Sequence, residues 1–280
     1  MPLAALPPPG VRVLPKEHGA WAMLLVPWAV GWGLARRFEP KELLLLVAAV
    51  GIFAAHSHLM AWRRLTLSGR SATREAVASR KLGLVFAALG ALATLPLLPR
   101  GAGVVPRADV LVLLTVVAAV LAGGSFALVG RRLDRAWPGQ ALAATGLSLT
   151  GPAAYAVGRG ALDRVAGAVW LVNATFFLWA VCYATLKIEA RARRRPLGSL
   201  AAKLRCGAAT IGITFATALL FAGAVVLGSL SPLALLAFVA PIVQTVAGVV
   251  RIDRPAPLRR LGILLLVHAI LFGLVVIVLS

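Results

Sequence analysis

Lys16, Glu17, His18 and Trp21 put an ammonium group, a carboxylate, an imidazole and an indole together at the entry to a long apolar run. Similar side chains recur where other apolar runs approach their charged ends: His56, His58 and Arg63, then Tyr183, Lys187, Glu189 and Arg191, then Gln244, and last His268. Guanidinium and ammonium groups hold phosphate or carboxylate, and Arg does so bidentately. The imidazoles suit proton transfer or metal ligation. However, His56 and His58 are two residues apart and point about 200° apart on a straight helix, so they cannot face one ion. There is no His-x-x-x-His pair, and Cys182 and Cys206 lack metal-ligand spacing, so neither a metal nor a haem site is expected and the cysteines are expected to pack.

The elements that position these groups follow from composition. Sixty per cent of the 280 residues are apolar, only 14% are charged, and the mean hydropathy is +0.92. This exceeds what a soluble core needs and indicates an all-α, polytopic membrane bundle. Nine spans are expected, at about 19–35, 43–62, 82–98, 110–129, 141–157, 165–186, 207–227, 233–250 and 261–279. They form a single transmembrane domain, 19–280, behind a cytoplasmic leader, 1–18. No removable signal peptide is expected. Between spans two and three, the polar stretch 63–81 predicts a short surface helix capped by Ser71 or Thr73.

The formal charge of +20 would suggest nucleic acid in a soluble protein. Here the basic residues separate apolar runs, so topology and anionic phospholipid headgroups are the expected reason and nucleic acid is not a partner. The leader and the loops after spans two, four, six and eight hold 22 of the 29 Lys and Arg, and the alternate loops hold 7. Cytoplasmic loops carry such an excess, which places the N-terminus inside and the C-terminus outside. On that topology His56 and His58 lie roughly 6–10 Å, Gln244 about 10 Å and His268 about 12 Å from the cytoplasmic span ends. Polar residues within spans are costly and point to function. Their clustering predicts a cavity open to the cytoplasm, lined by Lys16, Glu17, His18, Trp21, His56, His58, Arg63, Tyr183, Lys187, Glu189, Arg191, Gln244 and His268.

The opening segment Pro15-Lys16-Glu17-His18-Gly19-Ala20-Trp21-Ala22-Met23, followed by Pro27, resembles the start of the YwiC-like family of bacterial integral membrane proteins. The Arg259-to-Ile263 run at the last span resembles that family's basic-Gly-Ile segment, although Leu264–Leu266 stand where an acidic residue is expected. The resemblance implies a multi-pass protein of the bacterial inner membrane. The span pattern is also similar to UbiA-type prenyltransferases, which hold Mg²⁺ and a prenyl diphosphate with paired Asp-rich motifs. This chain lacks those motifs. Mg²⁺ enters only with prenyl-diphosphate chemistry, held by Glu17 and Glu189.

Three functions stay open. The first is binding of an isoprenoid or other anionic lipid in a UbiA-like cavity, with group transfer if the chain is an enzyme. The second is a small-solute permease whose helices break at Pro27, Pro152 and Pro241. The third is a non-catalytic assembly partner of a membrane complex.

Overall fold

The computed structural model describes residues 13–15, 18–97, 106–134, 136–193, 196–254 and 257–280, with the side chains of residues 18 and 106–109 outside that description. Ten α-helices follow in chain order among these residues: α1 His18–Ala35, α2 Lys41–Leu67, α3 Arg74–Thr94, α4 Pro106–Gly130, α5 Trp137–Leu147, α6 Thr150–Arg159, α7 Arg164–Ala192, α8 Leu200–Val226, α9 Val239–Val250 and α10 Leu258–Leu279. Short 3₁₀ segments extend α3 (Leu95–Leu97) and precede α9 (Pro232–Phe238). The described residues contain no strand.

Among the described residues, seven segments are long and apolar enough to cross a membrane: Lys41–Leu67, Arg74–Leu97, Val110–Gly130, Arg164–Ala192, Leu200–Val226, Pro232–Val250 and Leu258–Leu279. The chain is therefore a multi-pass helical membrane protein. The two remaining expected spans differ from the others. Gly19–Ala35 is apolar but shorter, and the fifth is two helices, α5 and α6, separated by a turn at 148–149.

The surface helix expected within 63–81 is corrected. α2 continues to Leu67, and Thr73 caps the long α3, its hydroxyl accepting from the Ala76 N–H at 3.2 Å. Arg74, Glu75 and Arg80 are the first turns of a crossing helix. The connection shrinks to six residues, 68–73, turned by Gly69 at φ +76°.

Two compact units divide the chain. The first, 1–17 with 38–143, is built on the pair α2 and α3. These helices approach closely at glycine: a Cβ on Gly51 would lie 3.0 Å from the Gly90 backbone. Small residues permit such contact in lipid, where association depends on packing.

The second unit, 18–37 with 144–280, is centred on α7, which touches α1, α6, α8, α9 and α10. Asp163 caps α7, accepting from the Val165 and Ala166 N–H groups at 2.8 and 3.1 Å, and also takes the Tyr155 hydroxyl at 2.9 Å. Phe176 stacks on Phe272 of α10 at 4.1 Å between centroids, and Phe221 of α8 meets the same ring. α1 and α6 touch through backbone. A Cβ on Gly31 would overlap the Gly151 carbonyl, and Thr150 donates its hydroxyl to the Leu24 carbonyl at 2.8 Å.

Candidate functional site

The second unit contains a buried polar seam. On α7, Thr175, Trp179, Tyr183 and Lys187 recur every four residues and share a face. α8 supplies Thr210, Thr214 and Thr217, and α9 supplies Gln244, Thr245 and Gly248. All but Gly248 are polar or amphipathic, and every one of the ten is buried.

The middle of the seam is a directional chain. Trp179 donates its indole N–H to the Thr245 hydroxyl at 2.8 Å. Thr214 gives its own proton to the Thr210 carbonyl at 2.7 Å, so at the 3.0 Å contact Thr245 donates to Thr214. One chain thus ties α7, α9 and α8, and successive bonds polarise one another. Replacing Thr245 with valine keeps the shape but strands the indole N–H. A loss of about 1–3 kcal/mol is expected, measured as a lower thermal midpoint in detergent micelles.

The Lys187 end of the seam accounts for the last carbonyls of α9, which a helix leaves without partners. Ala247 and Val249 accept from the Arg251 and Ile252 N–H groups at 3.0 and 3.2 Å. Gly248 accepts from Lys187 Nζ at 2.7 Å and Val250 from Lys203 Nζ at 3.3 Å. Two lysines from neighbouring helices therefore close one helix end, where the dipole favours cations. Gly248 is required for the approach, because a Cβ there would overlap the Tyr183 ring.

Lys203 also pairs with Asp253 at 2.8 Å, and Asp253 accepts from the Leu197 N–H at 2.9 Å. The Lys203 and Leu197 donors hold the Asp253 carboxyl below the usual carboxylate range. A depressed folded value gives stability that is present above the unfolded value and is lost as pH falls through the folded one. Asp253→Asn should therefore melt below the parent near neutral pH, and the two melting curves should converge in acid.

Gln244 is the anomaly. It is 8% exposed, and neither its oxygen nor its nitrogen has a hydrogen-bond partner. The Tyr183 hydroxyl lies on the N–H side of the amide and interacts with it loosely, so the Gln244 oxygen is the atom left wholly without a donor. Asn173 Oδ1, at a fully buried position farther along α7, and His268 Nδ1 also lack partners. The His268 ring lies 6.5 Å from Trp179.

Tyr183, Lys187, Gln244 and His268 thus fall around one stretch of α7. Glu189 and Arg191 follow on the exposed end of that helix, and Trp21 is half-buried on α1. Lys16 and Glu17 lie outside the described residues, as does the side chain of His18, which opens α1. His56, His58 and Arg63 belong to the first unit. His58 Nε2 sits 2.9 Å from the Val13 carbonyl and its ring stacks on Phe86, His56 is half-buried on α2, and Arg63 lies over the Phe126 ring at 4.3 Å. Arg64, not Arg63, pairs with Asp134, at 2.7 Å. Each unit has its own polar set.

Sequence reading misses Trp179, Thr210, Thr214 and Thr245, whose only signal is four-residue spacing matched on facing helices. It also misses Glu42 of the first unit, 1% exposed with neither carboxylate oxygen bonded. Among the described residues no three His, Cys, Asp or Glu side chains are placed to hold a metal ion.

Comparison with curated proteins and with solved structures found no match. A family model described as YwiC-like protein matches residues 14–155, just over half of the chain. That stretch holds the Pro15-to-Met23 motif, α2 to α5 and the α1–α6 backbone contact, and the chain belongs to the YwiC-like family.

Proposed function

We propose that this YwiC-like protein is a permease for a small polar anion, which passes along the seam of α7, α8 and α9. The observation that carries this reading is the Gln244 amide, buried with its oxygen unbonded and its N–H side facing only the Tyr183 hydroxyl, one helical turn from the carbonyl that holds Lys187. Lys187 uses one ammonium proton on Gly248, and among the described residues no carboxylate forms an ion pair with it. Its remaining donors suit an anion. Interrupted helices support the same reading, since transporters bind solutes beside broken segments. Pro152 at the α5–α6 break and Pro241 just after the 3₁₀ segment belong to the unit that holds the seam, whereas the break expected at Pro27 is corrected, since α1 runs unbroken through it.

The test is shrink–swell light scattering of proteoliposomes in potassium salts with valinomycin, comparing chloride, nitrate, acetate, lactate and hydrogen phosphate. At least one anion should swell loaded vesicles faster than empty ones. Rates equal to empty vesicles for every salt would sink the proposal.

The second reading is an isoprenoid or anionic-lipid site. Arg193, Arg251 and Arg254 are exposed near Lys187's end of the unit, where phosphate headgroups would meet them. Native mass spectrometry would favour it if one phospholipid or isoprenoid stays bound and is lost when Arg193, Arg251 and Arg254 are changed to Gln.

A further inference from the structure

The Gln244 amide restricts which anions fit, an inference that rests on the permease reading of the same seam. A carboxamide carries two N–H donors and a carbonyl acceptor. A bare oxyanion can satisfy the N–H side but presents only acceptors to the Gln244 oxygen, which would stay buried and unbonded. An anion with its own O–H satisfies both at once: its charged oxygens accept from Gln244 Nε2 and the spare Lys187 protons, and its hydroxyl donates to Gln244 Oε1. The three groups are neighbours. Gln244 and Gly248 lie one turn apart on α9, Lys187 bonds the Gly248 carbonyl at 2.7 Å, and the Tyr183 ring lies against Gly248 beside the amide.

Apart from the Tyr183 hydroxyl, which faces the N–H side of the amide, nothing else in the seam takes over this role. The hydroxyls of Thr210, Thr214 and Thr217 point their protons at backbone carbonyls, and Thr245 is committed to Trp179 and Thr214. We infer that Gln244 is the specificity residue for small oxyanions that carry a hydroxyl, such as hydrogen phosphate or an α-hydroxy carboxylate, over isosteres that lack one. A site built to hydrogen-bond a substrate hydroxyl discriminates strongly, because the analogue leaves a buried polar atom unpaired.

Two matched pairs test this by calorimetric titration of the full-length protein in micelles: lactate against propionate, and hydrogen phosphate against sulfate. In at least one pair the hydroxylated member should bind at least tenfold tighter. Gln244→Met, close in volume, should bring that pair within twofold at unchanged thermal midpoint. Gln244→Glu, which keeps the length but adds a negative charge, should weaken both members. Equal affinities within both pairs, no binding of any of the four, or selectivity that survives Gln244→Met would overturn the assignment. Vesicle swelling reads the permease separately: selective binding without swelling would sink transport and leave the Gln244 site standing.

Discussion

Gly151→Leu is expected to prevent α6 from seating on α1 and to cause a large structural loss in the second unit. The Gly151 carbonyl lies where a Cβ of Gly31 would be, and a Cβ on Gly151 would itself meet the Val169 side chain at 2.8 Å and the Pro27 carbonyl at 3.0 Å. The Pro27 carbonyl is a backbone atom, which cannot turn aside as a flexible side chain can, and Val169 is β-branched with little rotamer freedom. Overpacking usually costs about 1–3 kcal/mol and sometimes more, and a contact that must displace a buried helix belongs at the upper end. α6 is buried from Gly151 to Gly158, so it has nowhere to move. The thermal midpoint in micelles should fall well below the parent, and yield should fall with it. Gly167→Leu is the control. A Cβ there would meet nothing within 4 Å, so that variant should melt like the parent.

Lys187→Met is expected to reduce anion-driven swelling at least tenfold, about 1.4 kcal/mol in binding terms, while leaving the fold intact. Lys187 has two roles, and the substitution separates them. As a cap it satisfies the Gly248 carbonyl, a bond worth about 1 kcal/mol net. As a cation it supplies a positive charge at the Gly248 carbonyl, one turn from Gln244. Methionine fills similar volume and removes the cost of burying an ammonium group, which offsets the lost cap. Stability should therefore change little while flux collapses. If Lys187 serves only as a cap, the pattern reverses: a lower melting point with flux unchanged.

Most of the fold is legible in the sequence because apolar runs of membrane length report themselves through hydropathy. Segments with mixed signals are harder. The first turns of α3 carry Arg74, Glu75 and Arg80 and look like a surface element, but the Thr73 cap and the apolar continuation make them part of a crossing helix. The fifth run looks continuous, and its turn at 148–149 reflects how Thr150 and Gly151 meet α1. Such tertiary contacts are invisible to periodicity.

The site is partly legible for a related reason. Tyr183, Lys187, Gln244 and His268 stand out as polar residues in apolar surroundings. Thr214, Thr245 and Trp179 do not, because threonine in a membrane helix commonly bonds its own backbone. Only the arrangement of three helices shows that Thr245 reaches across to two neighbours. Glu42 gives no signal because it follows Lys41 at a span boundary, where a charge is ordinary; its burial is not.

Access of water-borne anions to Gln244 tests the central claim most directly. Gln244→Cys, in a background with Cys182→Ala and Cys206→Ala, would be exposed in proteoliposomes to a membrane-impermeant anionic methanethiosulfonate from either side. A solute path along the seam predicts rapid modification, slowed by the anion that swells the vesicles best, while Val246→Cys on the exposed apolar face of α9 stays unmodified in lipid. A Gln244→Cys thiol as inert as that of Val246→Cys, in protein that melts like the parent, would contradict the account and leave the seam as hydrogen-bonded packing between helices.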